Sequence, residues 1–158
     1  MERGPAGRNA PPKPRPVLVL IKALSATGRG SDRIRQEAAR DLEAMGGAAW
    51  PALPALHRLL PESDFRTCRH AACIIWKLEG DLSVLPFFLQ ALKDTHADRA
   101  IIECLGEMGA AAESAVPLLR AFVDSAERPY IGGILEDERL RAAAVKALAR
   151  ITAALAGR

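Results

Sequence analysis

Pro54, Pro86 and Pro117 each open the same apolar phrase, and they stand 32 and then 31 residues apart. The phrases are Leu53-Pro54-Ala55-Leu56 with Leu59-Leu60, Leu85-Pro86-Phe87-Phe88 with Ala91-Leu92, and Val116-Pro117-Leu118-Leu119 with Phe122-Val123. Self-similarity at a period of about 20–50 residues marks a chain built from stacked units, each touching mainly its neighbours. A proline in the first turn of a helix is cheap, because the N–H it lacks has no intrahelical partner there. Each phrase therefore predicts the start of a helix.

A second helical pattern precedes each proline phrase. Its first copy runs Ile34-Arg35-Gln36-Glu37-Ala38-Ala39 to Leu42, Met45 and Gly46, and its last runs Leu140-Arg141-Ala142-Ala143-Ala144-Val145 to Ala147, Leu148 and Ile151. Between them lie Ala71-Ala72, Ile75, Leu78 and Gly80, then Ile101-Ile102, Leu105-Gly106 and Met108-Gly109. Apolar residues at this spacing trace one stripe of an α-helix. Asp32, Ser63 or Asp64, Asp81 and Asp137 are candidate N-caps, Thr95 with Asp98 resembles a capping box, and Gly46, Gly80 and Gly109 are candidate C-terminal stops. The composition agrees: 49% of residues are apolar but only 4% aromatic, so alanine and leucine must supply a closely packed core.

This alternation resembles the HEAT repeat family, most closely its short, alanine-rich bacterial variety named after the phycobilisome lyases. Leu140 to Ile151 carries the likeness, with Leu105-Gly106-Glu107-Met108-Gly109 leading into Ala115-Val116-Pro117-Leu118-Leu119. The resemblance implies an all-α, right-handed α-solenoid (an ARM/HEAT-like superhelix) of about four two-helix repeats: 16–46, 47–80, 81–109 and 110–155. Val17–Leu24 would be a degenerate first helix. The matching positions Leu42, Ile75, Leu105 and Leu148 are spaced 33, 30 and 43 apart, so the last unit carries an insertion over 126–137. That insertion is expected to cap the end of the stack, extend the last helix or meet a partner.

Charge divides unevenly. Residues 1–15 hold Arg3, Arg8, Lys13 and Arg15 against Glu2, a net of +3, which is the net charge of the whole chain. Pro5, Pro11, Pro12, Pro14 and Pro16 exclude a helix there, so residues 1–15 are expected to be a disordered basic arm and 16–158 the repeat domain. Four cations make a small footprint for nucleic acid. No apolar run approaches the ~20 residues of a membrane span, and the start is a poor secretory signal. Three scattered cysteines (Cys68, Cys73, Cys104), each inside a predicted helix, suit a reducing compartment. A cytoplasmic chain is expected.

Chemistry is sparse. His70 and Cys73 with Cys68 and His96 lack the paired short spacings of a zinc site, so a core cysteine and a surface histidine are expected instead. Glu103 and Glu107 share a helix face that should be solvated. Thr27-Gly28-Arg29-Gly30-Ser31 lacks the Lys-Ser/Thr of a phosphate loop and reads as a turn. No nucleophile, metal or cofactor is indicated. Trp50 is expected to fill a gap between units rather than to stack bases, whereas Trp76 stands where the resembled family prefers glycine and is open to either reading.

In solenoids of this kind the second helices line a concave face. The resemblance places Arg40, Arg69, His70, Lys77, Arg99, Glu103, Glu107, Lys146 and Arg150 there, and Tyr130 in the insertion is a further contact. The mildly basic, mixed surface suits a protein or peptide, so the expectation is a non-catalytic scaffold with no cofactor. The alternatives are nucleic-acid binding, as in the HEAT-like alkylbase glycosylases, and, from the name alone, a chromophore-lyase-type enzyme.

Overall fold

The computed structural model describes residues 15–61, 63–94, 96, 98–124 and 134–157, with the backbone alone over 134–137. Among them no strand occurs, and eight α-helices carry the fold: α1 (Val17–Leu24), α2 (Ser31–Met45), α3 (Leu53–Leu59), α4 (Phe65–Glu79), α5 (Leu85–Lys93), α6 (Arg99–Met108), α7 (Val116–Asp124) and α8 (Ile134–Ala156). Short 3₁₀ stretches (Gly46–Ala52, Leu82–Val84, Gly109–Ala115) lead into α3, α5 and α7. No helix among the described residues is long and apolar enough to cross a membrane.

The punctuation follows the sequence signals. Pro54, Pro86 and Pro117 are the second residues of α3, α5 and α7. Asp64 accepts hydrogen bonds from the Arg66 and Thr67 amides at 3.0 and 3.1 Å, and Asp98 from the Ile101 amide at 3.1 Å. Such caps satisfy amide donors that the first helical turn leaves unpaired. Two expected caps do not form. Helix α2 begins at Ser31 behind a left-handed Gly30, so Asp32 lies inside its first turn. Asp137 likewise falls inside α8, which begins at Ile134; the final part of the 126–137 insertion thus extends the last helix. The remainder of that insertion, including Tyr130, lies outside the described residues, as does the arm up to residue 14. Arg15, at the arm's end, donates from Nη2 to Asp41 Oδ2 at 2.7 Å on α2.

The internal repeat is legible in the backbone. Gly46 ends α2 with φ 54° and ψ −129°, and Gly109 ends α6 with φ 55° and ψ −132°. A positive φ with extended ψ is open to glycine and strained for other residues. Each glycine opens a 3₁₀ stretch of 7 residues that delivers the chain to a proline-started helix. In the first stretch Ala49 and Ala52 are buried, and in the second their counterparts Ala112 and Ala115. Trp50 therefore matches Glu113 and, like it, faces outward, 56% exposed. The expectation that Trp50 packs between units is wrong: the 3₁₀ stretch buries only its alanines.

The helices pack in order. α2 lies against α4, α4 against α6 and α6 against α8, while α1 contacts α2 and α3, and α7 contacts α5 and α8. One continuous core runs through them, with Leu20, Leu42, Leu56, Ile75, Phe88, Ile101, Leu105, Leu119 and Ile151 fully buried. Phe65 stacks on Phe87, with ring centroids 5.4 Å apart, and supports the α4–α5 side. Burying a side chain of this size stabilises by about 1.5–3 kcal/mol, so the stripe predicted from periodicity is also the energetic spine.

Candidate functional site

The residues expected on one face do come from the consecutively packed helices α2, α4, α6 and α8, but they divide into two groups of different character.

The first group is a closed ionic cluster between α2 and α4. Glu43 is its centre, and sequence reasoning did not single it out. Its Oε2 lies 2.6 Å from His70 Nδ1 and 3.3 Å from Arg69 Nη1, and its Oε1 lies 3.5 Å from Lys77 Nζ. Arg69 also reaches α6, with Nε 3.0 Å from Asp98 Oδ2 at the helix cap. His70 is 5% exposed, so it is not the surface histidine expected. Its Nδ1 is taken by Glu43 of α2, and the ring edge meets a pocket shared with Gln36, Phe65 and His96. The ring's other nitrogen, Nε2, lies 3.4 Å from Arg69 Nη2, so both nitrogens face partners of the cluster. Burial works to raise the Glu43 carboxyl. The hydrogen bond from His70 and the charges of Arg69, His70 and Lys77 outweigh it and hold the group below its ordinary value of 4.5. Arg69 is thus committed to internal bonds, and Lys77 is shared between Glu43 and solvent.

Beneath this cluster Cys73 and Cys104, both fully buried, face each other from α4 and α6. Their mutual hydrogen bond and burial push the Cys73 thiol far up, so it stays protonated and is a poor nucleophile. Cys68 serves the backbone: its Sγ lies 3.4 Å from the Leu60 carbonyl and 3.3 Å from that of Ser63, just beyond the end of α3. Burial raises this thiol too. Packing accounts for all three cysteines.

The second group is an open groove between α6 and α8. Glu103 and Glu107 line one side, Lys146 and Arg150 the other, and Gly106, Ala143 and Ala147 form the floor, enclosing about 220 Å³. A Cβ placed on Gly106 would meet the Ala147 Cα at 3.0 Å, so glycine is what lets α8 approach α6 this closely. All four charged residues are exposed. Glu103 is paired within its own helix, its Oε1 2.6 Å from Arg99 Nε, as expected for an i, i+4 pair. Trp76 of α4 donates from Nε1 to Glu107 Oε2 at 3.4 Å, which places an indole beside the acidic side. Lys146 and Arg150 have no ion-pair partner among the described residues, and no bond crosses the groove.

Arg40 lies exposed on α2, apart from both groups, beside a shallow pocket shared with Arg33, Gln36 and Glu37. The structure therefore gathers Glu103, Glu107, Lys146 and Arg150 into one site, internalises Arg69 and His70, and leaves Arg40 separate. Trp76 belongs to the site, and the signal was present: it stands one residue after Ile75, where the third unit has Gly106 after Leu105. Family models, curated proteins and solved structures, each compared with this chain, give no match.

Proposed function

We propose that the chain is a HEAT-like α-solenoid of about four two-helix units acting as a non-catalytic scaffold, and that the α6–α8 groove receives a segment of a protein partner. The fold part of this reading is supported by the consecutive packing of α2, α4, α6 and α8 and by the matching Gly46 and Gly109 connectors. The single observation that carries the functional part is the groove itself. Two cations without a counter-ion face two carboxylates across a floor of glycine and alanine, with Trp76 at the edge.

Cations without a partner on one wall, facing carboxylates whose own bonds run to Arg99 and Trp76 and not across the groove, are not explained by the stability of the monomer. Exposed pairs contribute only about 0–1 kcal/mol even when formed, and here the cross-groove pairs are not formed. They are suited to a partner segment carrying both signs, a basic group against Glu103 and Glu107 and an acidic one against Lys146 and Arg150. Electrostatic complementarity of this kind sets register and association rate more than affinity. A flat indole rim adds apolar area of the sort enriched at interface centres.

The test is affinity purification from the source cell, with nuclease treatment, comparing the wild-type chain with Lys146→Glu/Arg150→Glu. Proteins retained after nuclease by the wild type and lost by the variant support the scaffold reading. Nucleic acid recovered in place of protein would favour the duplex-binding alternative, and a bound or transferred tetrapyrrole the lyase alternative.

A further inference from the structure

Away from that groove, three side chains from three elements converge at the end of α4. His57 comes from α3, Glu79 is the last residue of α4, and Asp81 follows the left-handed Gly80 that turns the chain (φ 66°). Their ligand atoms all lie within 4.8 Å of one another, the one such group of histidine, cysteine and carboxylate side chains among the described residues. His57 Nε2 is 2.6 Å from Glu79 Oε2, a separation that requires a proton between them. Asp81 accepts from the Ser83 amide at 2.8 Å and the Ser83 hydroxyl at 2.7 Å, which fixes its carboxylate and leaves each oxygen a further lone pair.

The charge count is the second observation. Two carboxylates stand here with no lysine or arginine paired to either among the described residues; the sole ion-pair partner is the imidazole itself. Helix α4 also ends at this point, and its terminal carbonyls add partial negative charge. Glu43, by contrast, is matched by Arg69 and Lys77, and Asp41 by Arg15. Here the negative charge exceeds its counter-charge, in a group of one nitrogen and two carboxylate ligands.

We propose that His57, Glu79 and Asp81 form a binding site for a divalent transition cation of the zinc type. One imidazole with two carboxylates suits such an ion, whereas magnesium and calcium favour all-oxygen sets. Ligands about 2.0–2.1 Å from a tetrahedral ion lie about 3.3 Å apart, and the His57 and Glu79 side chains, 38% and 31% exposed, have room to open to that spacing. Water would complete the sphere from the solvent side. The ion takes the place of the shared proton: Nε2 gives its lone pair to the metal, the proton leaves to solvent, and no redox change occurs. Binding therefore strengthens as pH rises.

The experiment is calorimetric titration of the full chain with zinc chloride at neutral pH, repeated at lower pH and with magnesium chloride. The expected result is one saturable zinc site per chain, weaker in acid and without a magnesium equivalent. His57→Ala and Asp81→Asn should each weaken it by at least about tenfold, with helical circular dichroism unchanged. A second readout follows the three histidine rings by NMR, in which zinc should shift His57 and leave His70 and His96 in place. Absence of saturable zinc binding, undiminished binding by His57→Ala, or a shift of His70 or His96 instead would each overturn the proposal.

Discussion

The α2–α4 and α6–α8 interfaces start from the same point in the repeat and solve it in opposite ways. Glu43 follows Leu42 three residues before Gly46, and Gly106 follows Leu105 three residues before Gly109. At the first interface that position holds a carboxylate, and the next helix answers with Arg69, His70 and Lys77. At the second it holds nothing beyond hydrogen, and α8 closes until Ala147 would touch a Cβ at 3.0 Å. The first interface consumes its charges internally; the second, packed backbone to backbone, leaves its charged residues on the outer walls. Where a repeat spends its polar residues on cohesion it has few left for a partner, and close small-residue packing frees them.

The comparison can be broken most severely by exchanging the two solutions. Gly106→Glu would drive a side chain into the Ala147 backbone and bury a charge with no cluster to receive it. A loss of more than about 3 kcal/mol in urea unfolding is expected. Gly106→Ala, which adds only the Cβ, should cost about 1–3 kcal/mol by overpacking. Glu43→Gln removes the charge that His70 and Arg69 face, and a loss of about 1–3 kcal/mol at neutral pH is expected.

That last effect has a pH signature. Glu43 has its carboxyl held below 4.5 in the folded chain, so the folded state binds fewer protons than the unfolded one as pH falls. The contribution is fully present above about 4.5 and is lost as pH drops through the depressed folded value. The stability gap between wild type and Glu43→Gln should therefore narrow in acid; a gap that is constant with pH would assign the effect to packing rather than to charge. At the small end, Trp50→Ser should change stability by no more than about 0.5 kcal/mol, because the indole covers no core.

What could be read in advance was what is local. Helix starts at Pro54, Pro86 and Pro117, stops at Gly46, Gly80 and Gly109, and the cap at Asp64 depend on a few neighbouring residues, and the chain places them as the spacing predicts; Asp98, expected as the far end of a capping box with Thr95, is itself the cap. The apolar stripe through Leu42, Ile75 and Leu105 was equally plain. The Glu43 cluster was not, since its partners lie 26 to 34 positions away and nothing in the α2 pattern alone separates Glu43 from a solvated residue. Aligning units on Leu42 and Leu105 would have exposed it, as a charge where the other copy has glycine. His70 was misread for the same reason: periodicity shows which way a residue faces on its own helix, not which neighbour covers it. The groove was nearer to legible, because Glu103 with Glu107 and Lys146 with Arg150 are i, i+4 pairs on helices whose contact the repeat implies.

The most direct test of the division between cohesive and receptive interfaces is one paired measurement on Lys146→Glu/Arg150→Glu: thermal stability, and retention of the proteins that the wild type captures after nuclease. Unfolding should be unchanged within about 0.5 kcal/mol and capture abolished, as befits charges that serve a partner and not the fold. Capture that persists, or a melting transition that collapses along with it, would contradict the assignment of this groove.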